Sequence, residues 1–130
     1  MKPGTVIHHK NFPISDGNIA DKLLVILNFQ RGGEFLALLT TSQQRNRQKL
    51  EGCQSDLGYY FCPANINWFE KDTWILLYET YSLSRTELEN AEQTGIVKIM
   101  QDLDEQLTSA IINCFKKSDD CSDHHLWLLA

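Results

Sequence analysis

Two histidines, a lysine and a pair of threonines are the residues of this chain best suited to chemistry. His8 and His9 stand together near the start, Lys22 follows a polar turn, and Thr40-Thr41 closes an apolar run. Histidine is the side chain best matched to proton transfer near neutral pH. A lysine ammonium can neutralise charge that develops on oxygen, and a threonine hydroxyl can donate to a phosphate. Brought to one place, this set could carry out acid–base chemistry beside a developing negative charge. Successive strand residues point to opposite faces, so only one of His8 and His9 can join it.

Other constellations are weaker. Cys121, Asp123, His124 and His125 cluster in the tail, but C-x-x-H-H is not a familiar zinc spacing, and no metal or cofactor is expected. Arg31-Gly32-Gly33 lacks any phosphate-loop or dinucleotide pattern. Arg45, Arg47 and Lys49 form the one basic stretch, with no aromatic residue interleaved for base stacking. Tyr59, Tyr60, Phe61, Trp68, Phe69 and Trp74 make an aromatic centre that reads as core or interface before it reads as a stacking platform. The cysteines, Cys53, Cys62, Cys114 and Cys121, include no C-x-x-C pair. Nothing marks the chain as secreted, so they are expected as reduced thiols.

These residues must be positioned by short strands. Thr5 to Lys10 reads as the first strand, and Pro13 and Asp16-Gly17 signal a turn. Leu23 to Phe29 is apolar up to Asn28, as in a strand buried on both faces. Arg31 to Glu34 is a hairpin connection, and Phe35 to Thr41 is its return strand. Gln43 to Gly58 is polar and reads as loop. Tyr59 to Cys62 and Thr73 to Tyr78 are further strands. Ser84 with Glu87 predicts a capping box opening a short helix through Glu92, closed near Gly95. A terminal helix carries Leu103, Leu107, Ala110, Ile111 and Cys114 on one stripe, with Asp102 as its N-cap. About five strands and a terminal helix predict a mainly β fold in one domain over residues 1–118. The tail, 119–130, ends in the apolar Leu126 to Ala130, which either packs back or meets a partner.

The order of these segments resembles the PemK/MazF family of ribonuclease toxins. PGTVIHHKNFPISDG looks like the family's opening strand and loop, DKLLVILN its second strand, and LALLTTSQ the strand ending in Thr-Thr. EKDTWILLYETYSLSRTEL is similar to the later strand and connector, and GIVKIMQDLDEQLTSAIINCF to the terminal helix. The resemblance implies a small SH3-like β-barrel, a homodimer, and cleavage of single-stranded RNA without metal, restrained by an antitoxin peptide or protein. Catalytic roles would fall on Lys22, where the family has arginine, on Thr40, and on His8 or His9. Lysine lacks arginine's bidentate geometry. Asp16, Asn18, Thr41, Arg45 and Arg47 would contact RNA. The family's later-strand Arg and Asp fall on Leu76 and Tyr78, and its early acidic residue on Thr5, so the usual acid–base pair is missing or relocated. The alternative is a non-catalytic barrel that binds a protein or peptide.

Composition sets the outer limits. The 130 residues are 42% hydrophobic with a net charge of −5, which argues against avid, sequence-independent nucleic-acid binding. No apolar run approaches the ~20 residues that span a bilayer. MKPGTVIHHK lacks the apolar core of a signal peptide, so a cytoplasmic protein without membrane contact is expected.

Overall fold

The first turn is built by its own side chains. Asp16 Oδ1 accepts from the Asn18 amide at 2.9 Å, and Gly17 takes a left-handed φ of +88°. This turn joins β1 (Thr5–Pro13) to β2 (Ile19–Ile26), which pair antiparallel. The Gly32-Gly33 connection returns the chain as β3 (Glu34–Thr41) against β2. A computed structural model describes all 130 residues. Its other elements are β4 (Gly52–Gln54), a single 3₁₀ turn, β5 (Tyr59–Cys62), β6 (Thr73–Ser84), α1 (Arg85–Gln93), β7 (Val97–Asp102), α2 (Glu105–Lys117) and α3 (Asp123–Leu129).

The seven strands form one antiparallel sheet in the order β4-β5-β6-β3-β2-β1-β7. Alternation along them divides the core in two. Val6, Val25, Leu36, Leu38, Ile75 and Leu77 pack with Ile111 and Phe115 of α2 and Leu128 of α3. Ile7, Leu24, Ile26, Ala37, Leu39, Trp74 and Leu76 pack with Phe12, Val97 and Leu88 of α1. Burial on both faces is what the uninterrupted apolar runs of β2 and β3 require.

Several expectations are corrected. The sheet is not a closed barrel, because β4 and β7 are edges that do not pair. There are seven strands rather than about five: β4 lies in the polar stretch read as loop, and β7 in the stretch assigned to the terminal helix. β1 runs on through Pro13 by way of a bulge in which Asn11 takes a φ of +52°. Asp102 ends β7, and the N-cap of α2 is Asp104, which accepts from the Leu107 amide at 2.7 Å. The Ser84 cap of α1 is present, accepting from the Glu87 amide, but the Glu87 side chain returns no bond to Ser84, so the expected box is only half made. Cys53 and Cys114 are disulfide-bonded rather than reduced, joining β4 to α2; Cys62 and Cys121 are free.

The tail packs back. Ser122 and His125 form a reciprocal capping box, Leu128 is buried, and Arg31 lies over the Trp127 ring at 4.4 Å. The buried Asn28 side chain ties this helix to the β2–β3 hairpin. Its Oδ1 accepts from the Leu36 amide at 2.8 Å, and its Nδ2 donates to the Leu128 carbonyl at 3.2 Å. Removing it strands a buried amide and a carbonyl, each costing about 1–3 kcal/mol. Asn28→Ala is therefore expected to lower unfolding stability by about 2–4 kcal/mol in urea titration.

Candidate functional site

A cleft of about 480 Å³ lies between the β1–β2–β3 end of the sheet and the loop from Pro63 to Asp72. His8, Asp21, Lys22, Leu23, Thr40, Thr41 and Ser42 border it from the sheet side; Trp68 to Lys71 and Thr73 border it from the loop side, and Met100 from β7.

Strand register decides which sheet residues can face it. His8 stands opposite Leu23, and His9 opposite Lys22. Directly opposed residues share a face. Leu23 packs with the cluster that contains Val6 and Val25, so His8, Leu23 and, by alternation, Asp21 belong to the cleft side. His9 belongs to the other face: its ring meets Phe12 at 4.9 Å, and its Nδ1 lies 2.9 Å from the Lys10 carbonyl. Lys22 borders the cleft but leaves β2 from the His9 face.

Thr40 also lines the cleft, yet its side chain is committed elsewhere. The residue is 4% exposed, and its hydroxyl donates to the Leu23 carbonyl at 2.9 Å. It pins β3 to β2 below the cleft and has no second proton to offer a ligand. Thr41 is half-buried, with its hydroxyl accepting from the Gln43 amide at 3.2 Å. Ser42, exposed at the rim, is the freer hydroxyl.

The loop wall is held firmly. Asp72 accepts from the Ala64 amide at 2.9 Å and pairs with Lys49 at 3.0 Å. The Ala64 hydrogen bond, then Lys49, hold its carboxyl below the usual range. Asn65 takes a φ of +63°, and its amide donates to the Phe69 carbonyl at 2.8 Å, closing the loop on itself. Phe69 is buried and anchors the wall, and Trp68 meets it edge-on at 5.3 Å while remaining half-exposed beside Glu70 and Lys71. Behind this wall, burial pushes the Cys62 thiol up to about 12, which leaves it unreactive as a nucleophile.

The remaining expected contacts lie elsewhere. Asp16 and Asn18 bond to each other in the first turn, where Ser15 meets Glu79. Nearby Tyr81 donates to Glu79 at 2.6 Å; burial, then Glu79, raise its phenol to about 12. Arg47 donates to the Tyr78 hydroxyl at 2.9 Å and to the Gln43 carbonyl, and Arg45 lies exposed in the same loop. None of these four lines the cleft. Trp74 is buried with its indole donating to the Gln48 carbonyl at 2.9 Å, so it is core. In the tail, His124 pairs with Glu34 at 2.9 Å, His125 serves the capping box, and no group of three metal-ligating side chains converges.

No protein-family model matches the chain, and no curated protein matches it either.

The cleft thus combines an imidazole, a carboxylate on the same strand face, a lysine on the facing loop, a rim hydroxyl and an aromatic plane. Asp21, Glu70 and Lys71 were not singled out from sequence. Their signal is weak there, since each stands in a short charged run beside an apolar one, as surface charges commonly do, and only the register and the loop wall give them a common address.

Proposed function

We propose that this cleft binds single-stranded RNA and cleaves it by internal attack of a ribose 2′-hydroxyl. The observation that carries the reading is that His8 shares one cleft with Asp21, Lys71 and the half-exposed Trp68. A base stacks on Trp68, which is sequence-tolerant because every base has a π-face. The neutral His8 imidazole takes the 2′-hydroxyl proton as the oxygen bonds to phosphorus. Lys71 faces the crowded phosphorane oxygens and returns a proton to the departing 5′-oxygen. Asp21 steadies the imidazolium, while its Oδ1 accepts from the Asn11 amide at 3.0 Å. The products are a 2′,3′-cyclic phosphate and a free 5′-hydroxyl, so atoms and protons balance without a cofactor.

The PemK/MazF resemblance supports the same class of activity, and with it a toxin-like role restrained by an antitoxin in the cytoplasm and a homodimer. The fold is mainly β with a C-terminal helix, and the SH3-like type rests on the resemblance. No helix is long and apolar enough to cross a membrane.

Charge in the cleft is nearly balanced, with Lys22 and Lys71 against Asp21 and Glu70. Two neutralised phosphates give a salt slope of only roughly −1.4 for a single strand. A shallow dependence of affinity on salt is therefore expected, and a slope steeper than roughly −4 would place binding on another surface. Lys71→Ala is expected to lower cleavage in EDTA by about 10²–10³-fold, as for loss of one oxyanion donor. Lys22→Ala, from the opposite strand face, is expected to cost less than tenfold. The reverse order would restore Lys22 to the role suggested by the resemblance.

The rival reading, a protein-binding module, draws on the exposed Phe29, Leu126 and Trp127. Much of the tail is engaged within the chain, so Leu126→Glu is the cleaner probe of that reading than deletion of the helix.

A further inference from the structure

A second hollow of about 410 Å³ adjoins the cleft, lined by Ile66, Asn67, Trp68, Gln101 to Asp104 and Leu107. Trp68 belongs to both hollows, and β7 floors both, with Met100 in the first and Gln101 to Asp102 in the second. A bulge makes this continuity: Val6 faces Gln101 and Ile7 faces Ile99, leaving Met100 as the extra residue. Bulges of this kind re-aim one side chain, here toward the cleft.

The chemistry of the second hollow differs from that of the first. It contains no lysine, arginine or histidine. Asp102 accepts from the Thr5 hydroxyl at 2.7 Å and Asp104 from the Leu107 amide, each through Oδ1. The second oxygen of each carboxylate makes no hydrogen bond within the chain. Phosphate is disfavoured beside two carboxylates, whereas a flat apolar group carrying N–H donors suits them. Ile66, 65% exposed, and Leu107 supply apolar walls around it.

Resting on the RNA reading above, we propose that the second hollow holds the base next to the one stacked on Trp68, and that Asp102 and Asp104 select bases bearing an exocyclic amine. Cytosine, with its N4 donor, is accepted there, and uracil or thymine, presenting O4 to the carboxylates, is disfavoured.

The test is fluorescence anisotropy with labelled pentamers of deoxycytidine and deoxythymidine, which lack the 2′-hydroxyl and are not cleaved. The intact protein is expected to prefer the cytidine pentamer by about tenfold. Asp102→Asn with Asp104→Asn is expected to abolish that preference, tightening the thymidine pentamer as the repulsion at O4 is removed; asparagine keeps the acceptor for Thr5 and the helix cap. Trp68→Ala is expected to weaken both pentamers by about tenfold or more. A wild-type protein that does not distinguish the pentamers, or a preference that survives both substitutions, overturns the selectivity while leaving the RNA reading standing if RNA is still cleaved in a His8-dependent way. Failure to bind either pentamer together with failure to cleave RNA overturns both; failure to bind with His8-dependent cleavage intact overturns the selectivity alone.

Discussion

His8→Ala is expected to lower single-stranded RNA cleavage by at least about 10²-fold, the scale of a lost general base. His9→Ala is expected to stay within about threefold of wild type. The contrast matters because the two residues are identical in type and adjacent in sequence. Only the pairing register separates them, with His8 opposite Leu23 on the cleft side and His9 opposite Lys22. Neither substitution reaches a fully buried position, so both variants should fold, which near-UV circular dichroism would check. Equal losses in the two variants would mean that the strand face does not decide the chemistry.

Reduction of the Cys53–Cys114 bond is expected to destabilise the fold by about 4 kcal/mol. The bond closes a segment with a sequence separation of 61 residues, and on the chain-entropy account its effect grows with the loop it closes. It also ties down β4, a strand of three residues at the sheet edge. Cys53 is exposed and Cys114 buried, so Cys53→Ser removes the link without opening a cavity. Urea midpoints should fall equally for Cys53→Ser and for reduced wild type, and reductant should leave Cys53→Ser unchanged. Four titratable thiols in the untreated protein would show the bond to be absent. Disulfides persist in oxidising compartments, so a formed bond in freshly isolated protein would weigh against the cytoplasmic expectation.

The β2–β3 hairpin was legible in the sequence because several signals agree. Two long apolar runs, a Gly-Gly turn between them and Asn28 at the edge all favour the same pairing. The cap at Ser84 was legible for the same local reason. β7 was not, because Val97 to Asp102 alternates poorly and only Val97 is buried; its place is set by β1, almost a chain length away. Asp102 reads as a helix cap because Asp102 followed by Glu105 fits the capping pattern two residues ahead of the true cap, Asp104. The disulfide could not be read from spacing because its partners are far apart in sequence.

The site divides in the same way. His8 was named from residue type and Thr40 from the Thr-Thr of the resemblance, and both border one cleft, but the strand pairing that commits the Thr40 hydroxyl to the Leu23 carbonyl is invisible in sequence. Lys22 was named because the resemblance sets the family's arginine there, and one residue of register moves its side chain to the other face. Lys71 and Asp21 gain significance only from the wall and strand that bring them to His8.

The central claim is that single-stranded RNA occupies the cleft between His8 and Trp68. Mapping amide and indole chemical shifts during titration with a 2′-deoxy oligonucleotide tests it most directly, since no turnover intervenes. The expected result is a contiguous set of perturbations at His8, Asp21, Ser42, Trp68, Lys71 and Met100, with His9, Arg45 and Trp74 unmoved. Perturbations confined to the Gln43–Glu51 loop or to α3 would contradict it.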